Sequence, residues 1–188
     1  ELDANFFQHL PYLEEFNKNK NTSLVKTVAV HLEPMGLYSN KIKSLEELED
    51  GATIAVPNDP TNETRALNIL EKKGLLTFKD ADFKTALDIK DNPKNLKINE
   101  LDAPQLPRVL DEVDAAVINT NYALAADLNP LDDALVLESK DSPYANILVV
   151  KKGNEDKEFT KALNEVLNST EIKNFIAEKY KGAIVEAF

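Results

Sequence analysis

From Thr53 to Asp156 short β-rich runs alternate with helical stretches, and no other feature of the chain limits its fold so strongly. Parallel strands cannot be joined by a tight turn and need a helix-length return, so this alternation is the signature of an α/β sheet with crossover helices. Thr53-Ile54-Ala55-Val56 reads as a buried strand, and Pro60 to Lys73 as the helix that follows it. Asp59 suits the N-cap of that helix, Pro60 its first position and Gly74 its C-terminal stop, while Ala66, Ile69 and Leu70 share one face. Downstream, Leu96-Lys97-Ile98 and a short helix around Gln105 to Glu112 precede the apolar strand Ala115-Ala116-Val117-Ile118. Tyr122 to Leu128 reads as a short helix stopped by Asn129-Pro130, and Ala145 to Lys151 as another buried strand.

Two amphipathic helices close the chain, one lined by Phe159, Leu163, Val166 and Leu167, the other by Ile172, Phe175, Ile176 and Tyr180 and ended by Gly182. Upstream, Leu24 to Val30 is a strand candidate and Leu37-Tyr38 begins another. Ser44 to Leu48 reads as a short helix with Ser44 as N-cap and Glu47 completing a capping box. No internal repeat or low-complexity linker separates domains. Two lobes are still possible if the chain crosses between them more than once.

Composition narrows the function classes. With 188 residues, 43% of them apolar, the chain can bury a real core as one large domain or two small ones. Its net charge of -11, with no basic stripe, repels phosphate backbones and argues against nucleic-acid binding. No uncharged apolar run approaches the ~20 residues that cross a bilayer. Zero cysteines exclude a cysteine nucleophile, a disulfide framework and thiolate zinc sites within these residues. The common phosphate-cradling glycine loops and the G-x-S-x-G elbow are missing, and His9 and His31 form no short metal-ligand spacing.

What remains is a set of polar residues at strand ends, where ligands bind in open α/β sheets. Asn58 and Asn62 follow one strand, Asn119 and Asn121 follow another, and Asn146 heads a third. Asparagine offers donor and acceptor without charge, which suits a ligand bearing both an ammonium and a carboxylate; each of these residues also suits a plain turn or cap. Arg65 lies early in its helix, where the helix dipole opposes a cation. Its placement has two readings: an anion held jointly by guanidinium and backbone N–H groups, or a surface ion pair with Asp59 or Glu63. Phe6, Phe7, His9, Met35 and Tyr38 likewise suit either a pocket for an apolar side chain or simple core.

The stretches ELDANFFQH, PNDPTNETRAL, LDIKDNPKNL, APQLPRVLDEVDAAVINTNYA and DSPYANILVV stand in order from Glu1 to Val150, and GAIVEAF ends the chain. Together they resemble the methionine-binding lipoproteins (NlpA/MetQ-like), the substrate-binding components of methionine ABC importers. The resemblance implies a two-lobed, type II periplasmic-binding-protein α/β fold that clamps an amino acid in the interlobe cleft, with no turnover, cofactor or metal. By matching motif, Arg65 pairs with the ligand carboxylate, and Asn146 and Asn119 hold its polar backbone, with Asn121 and Asn62 as further candidates. Phe7 and His9, with Tyr38, enclose the thioether. The implied partners are L-methionine or a related amino acid and the transporter permease, and the implied setting is extracytoplasmic, as a cell-envelope lipoprotein at the cell membrane surface or in the periplasm.

Residues 1–38 and 136–188 are expected to form the first lobe and 39–135 the second. Members of the resembled family carry an opening strand-helix-strand unit and a lipid-attachment cysteine before the ELDAN motif, so the first lobe is expected to be N-terminally truncated and the lipid anchor absent from this chain. Three rival readings stay open from sequence. One is a binding protein for a methionine-containing dipeptide, and another is an enzyme acting on a small carboxylate with His9 or a cleft carboxylate as base. The third is an interaction protein whose pocket is vestigial.

Overall fold

The computed structural model describes residues 2–139 and 141–188; Glu1, the first residue of the ELDANFFQH motif, and Lys140 lie outside the described residues. From the N-terminus, β1 (Ala4–His9) runs into α1 (Leu10–Lys20), and β2 (Leu24–Leu32) and β3 (Gly36–Tyr38) follow. Next come β4 (Thr53–Pro57), α2 (Pro60–Lys72), β5 (Thr77–Phe78), β6 (Ile89–Asp91) and β7 (Lys97–Leu101). Then β8 (Ala115–Ile118), α3 (Thr120–Ala125), β9 (Val136–Leu137) and β10 (Asn146–Lys151) lead to α4 (Glu158–Leu167), α5 (Thr170–Tyr180) and β11 (Val185–Glu186).

These elements divide into two units, Glu1–Glu33 with Ser139–Phe188, and Pro34–Glu138. The chain thus crosses after Glu33 and after Glu138, whereas the sequence pattern puts the crossings after Tyr38 and before Val136. Backbone pairing accounts for the difference. Gly36 and Leu37 of β3 are in register with Leu137 and Val136 of β9, and β3 also pairs with β8, so all three strands belong to one sheet.

In the second unit the sheet order is β7-β4-β8-β3-β9. β4 runs parallel to both β7 and β8, while β3 is antiparallel to β8 and β9. The apolar runs of β4 and β8 are continuous because both faces are covered. Ile54, Val56, Ala115 and Val117 pack with Ala66, Leu67, Ile69 and Leu70 of α2. On the opposite face Ala55, Ala116 and Ile118 pack with Leu106, Leu110 and Ala123. Each fully buried Leu or Ile in these layers contributes roughly 1.5–3 kcal/mol of transfer free energy.

α2 begins and ends as its sequence directs. Asp59 is extended and its Oδ1 accepts the Asn62 N–H at 3.1 Å, Pro60 opens the helix, and Gly74 takes φ +72° just beyond it. Elsewhere the local reading needs correction. The helix expected around Gln105 to Glu112 is a 3-10 segment over Ala103–Val109, since Pro104 and Pro107 deny it the donors of a regular α-helix. α3 starts earlier than expected, from an extended Asn119, and Asp127 at φ 60° lies beyond its end. The expected capping box at Ser44 does not form. Ser44 makes no side-chain cap bond, and the Glu47 carboxylate instead accepts the Lys43 N–H at 3.0 Å.

In the first unit the sheet order is β1-β10-β2-β11, with antiparallel pairs throughout. Ile147 and Val149 of β10 pack with Leu13 of α1, while Leu148 and Val150 are buried on the other face. α4 and α5 form as expected, but their apolar stripes are only partly covered: Ile176 is buried, whereas Val166 is 59% and Phe175 52% exposed. Residues 4–20, which sequence patterning leaves unassigned, are a strand and a helix. His9 Nδ1 caps α1 by accepting the Tyr12 N–H at 3.2 Å, and Pro11 sits in the helix's first turn.

Candidate functional site

Within the second unit, the parallel register of β4 with β8 aligns Ile54 with Ala115 and Ala55 with Ala116, so both strands deliver their carboxyl ends to one edge. The segments leaving those ends carry Asp59, Asn62 and Arg65 on one side and Asn119 on the other. They meet: Asn119 Nδ2 donates to Asn62 Oδ1 at 3.0 Å. Asn62 is in turn fixed by Asp59, whose two carboxylate oxygens accept its Nδ2 at 3.1 and 3.0 Å. Asn119 Oδ1 is buried and accepts no hydrogen bond from the described residues. An unsatisfied buried acceptor costs about 1–3 kcal/mol, and a cationic N–H brought to it would relieve that cost.

Arg65 is only 4% exposed, and it meets the carboxylate of Glu138. Its Nε lies 3.1 and 3.0 Å from the two Glu138 oxygens, and Nη2 lies 2.5 Å from Oε2. Glu138 also accepts the Met35 N–H at 3.1 Å, and its own N–H donates to the Met35 carbonyl at 2.9 Å. The surface ion pair considered from sequence is thus replaced by a buried one. A buried pair of this kind seldom adds net stability over apolar residues of the same volume, so its presence asks for another explanation.

Nearby on α2, Glu63 is 4% exposed and its Oε1 has no hydrogen-bond partner among the described residues. Burial first, and then the charge of Glu100, push its carboxyl up to about 8. Asn121 is exposed in the first turn of α3. Tyr38, expected beside the ligand side chain, lies instead in the second unit's core at 1% exposure, packed with Leu106, Leu110 and Ile118. There burial raises its phenol well above the ordinary range. Met35 is core as well.

The first unit gathers its candidates at one end of its sheet. His9 of β1 is in register with Asn146 of β10, and Asn146 with His31 of β2, forming a row across three strands. Asn146 is buried, with Nδ2 3.1 Å from His31 Nε2, which itself lies 2.9 Å from Glu33 Oε1. One ring nitrogen cannot accept from an amide while donating to a carboxylate. Which of the two contacts Nε2 serves is set by the tautomer of the ring.

Beside that row stands an aromatic cluster. The His9 ring is edge-on to Tyr144 at 5.0 Å and to Tyr12 at 6.2 Å, and Phe7, which is exposed, is edge-on to Tyr12 at 5.7 Å. Sequence reasoning names Phe7, His9 and Asn146 but misses Tyr12, Tyr144, His31 and Glu138. Tyr12 is recoverable in principle from its spacing after His9 across a helix start marked by Pro11. Glu138 is not, because it sits 73 residues from Arg65 among 33 carboxylates.

Comparison with known proteins places this architecture. Residues 1–188 match the family described as NlpA lipoprotein. The chain is 45% identical over 192 residues to the D-methionine-binding lipoprotein MetQ of Salmonella typhi, covering 100% of this chain and 71% of that protein. It is 49% identical over 194 residues to the methionine-binding lipoprotein MetQ of Bacillus subtilis, covering 98% of this chain and 70% of that one. Among solved structures, a nutrient binding protein from Burkholderia cenocepacia bound to methionine superposes with a TM-score of 0.97 at 50% identity, over 100% of this chain and 80% of the other. A periplasmic substrate-binding protein of an ABC transporter from Coxiella burnetii gives 0.95 at 45% identity, over 99% of this chain and 79% of that one.

Proposed function

The chain belongs to the NlpA lipoprotein family, and from that premise we propose that it captures methionine, in the first instance the L-form, outside the cytoplasm, at the cell membrane surface or in the periplasm, and passes it to the permease of an ABC importer. It performs no chemical step on the ligand. The guanidinium of Arg65 takes the α-carboxylate, whose planar pair of oxygens matches its fork. The α-ammonium goes to Asn119 Oδ1, and Asn62 keeps the Asn119 amide in place. The first unit carries candidates of its own, Asn146 for a polar group and Phe7, His9 and Tyr12 as aromatic surface that suits a thioether, a polarisable group that gains from ring contacts. Asn121, which is exposed, and Tyr38, which is core, are left out of this set.

The observation that carries this reading is the presence, in one unit, of a buried arginine and of a buried amide oxygen that accepts no hydrogen bond from the described residues. An amino acid supplies the complementary groups, an anion and a cation on adjacent atoms. The test is calorimetric titration of L-methionine into protein stripped of carried-over ligand by unfolding and refolding, with Arg65→Ala in parallel. Saturable binding that falls about a hundredfold or more in the variant is expected, since the ligand carboxylate loses a charge-assisted bidentate partner. Equal binding by the two proteins would overturn the assignment of Arg65.

A further inference from the structure

The proposed carboxylate grip leaves one strong feature unexplained. The Glu138 carboxylate is held at three short distances, and its partner is the same guanidinium assigned to the ligand. Two anions on one arginine weaken each other's attraction, so a pair built only for charge balance would compete with the ligand.

Geometry resolves the conflict. Glu138 occupies the edge of the guanidinium formed by Nε and Nη2. A guanidinium is planar, so one carboxylate held on its Nε/Nη2 edge fixes the plane and the angle of the whole fork. The carboxylate cannot drift, because the Met35 N–H holds Oε2 at 3.1 Å and the Glu138 N–H bonds the Met35 carbonyl at 2.9 Å. These bonds continue the ladder in which β3 pairs with β9. A rigid sheet edge, rather than the arginine's own helix, therefore fixes the angle of the fork. An arginine stem has four rotatable bonds, and holding one edge removes most of the freedom that ligand binding would otherwise have to freeze.

Building on the proposed methionine site, we propose that Glu138 is a positioning residue that sets the orientation of Arg65 for the ligand carboxylate. Pre-alignment outweighs the repulsion between the two carboxylates, so neutralising Glu138 weakens the binding of carboxylate ligands instead of strengthening it.

The experiment compares L-methionine with L-methioninamide, which lacks the carboxylate, on wild type, Glu138→Gln and Glu138→Asp. Each titration is accompanied by circular dichroism at the same temperature. Glu138→Gln keeps the size and the acceptor for Met35 but halves the grip on Arg65. The expected result is a loss of about tenfold or more for methionine and less than about threefold for the amide. Glu138→Asp keeps the charge but withdraws it by one methylene, and is expected to fall between; if Glu138→Gln fails to fold, this variant is judged by the same ratio. Equal losses for both ligands would reveal a merely structural role and overturn the proposal, as would tighter methionine binding in Glu138→Gln. Wild type that binds no methionine, or an Arg65→Ala variant that binds normally, would instead remove the functional reading on which the proposal rests.

Discussion

Replacing Glu63 by glutamine should stabilise the protein in neutral and alkaline solution and leave it unchanged in acid. Glu63 is buried on α2, one oxygen has no hydrogen-bond partner among the described residues, and Glu100 and Asp59 add negative charge around it. Burial is the largest cause of its raised pKa, followed by the charge and hydrogen bond of Glu100. In the fold the carboxyl releases its proton near pH 8, against 4.5 when unfolded. The sign follows from linkage. The folded state holds a proton that the unfolded state has given up, so this contribution is fully present below about 4.5 and is lost as pH rises toward about 8.

A rise of that size corresponds to roughly 4–5 kcal/mol at the alkaline end. Glutamine imitates the protonated acid in shape and cannot titrate. Urea denaturation of both proteins, followed by far-UV circular dichroism across this range, should therefore give curves that coincide near pH 4.5 and diverge steadily in favour of Glu63→Gln up to about pH 8. A stability difference that does not change with pH would refute the reasoning, and so would a variant that is less stable at high pH.

Two further substitutions separate packing from ligand recognition. A methyl group at Gly36 would stand 2.7–2.8 Å from the ring of Tyr38, which is itself locked in core, so Gly36→Ala should cost about 1–3 kcal/mol in urea denaturation. Combining it with Tyr38→Leu should cost less than the sum of the two single changes. Asn119→Ala removes the bond that Nδ2 gives to Asn62 together with a buried oxygen that accepts no hydrogen bond from the described residues; the two effects oppose each other, so stability should change by less than about 1 kcal/mol. The same change should weaken methionine binding about tenfold or more, as read by titration.

Much of the second unit is legible in the amino-acid sequence, because its signals are local. The continuous apolar runs of β4 and β8 announce strands buried on both faces, and Asp59-Pro60 and Gly74 mark the ends of α2 by capping chemistry alone. What escapes is set by contacts distant in sequence. Tyr38 reads equally well as pocket wall or core until β3 is known to lie between β8 and β9. The partner of Arg65 lies on the strand edge beyond β9, and no spacing rule connects the two residues. In the first unit the run Asn5-Phe6-Phe7-Gln8-His9 lacks the clean alternation of a strand buried on one face. Its pairing with β10, including a shift of register between Phe6 and His9, becomes visible only in three dimensions. The stretch-by-stretch resemblance to methionine-binding lipoproteins carries the site residues further than physical chemistry alone does, since an asparagine after a strand is as often a turn as a ligand contact.

The central question is whether this chain, with its buried Arg65 and an Asn119 oxygen that accepts no hydrogen bond from the described residues, holds a free amino acid. Equilibrium dialysis of radiolabelled L-methionine against refolded, ligand-free protein measures it directly, with D-methionine and L-methioninamide as competitors. Saturation at one methionine per chain is predicted, with the amide a far weaker competitor because it offers Arg65 no carboxylate. Binding that fails to saturate, or an amide that competes as well as methionine itself, would contradict it.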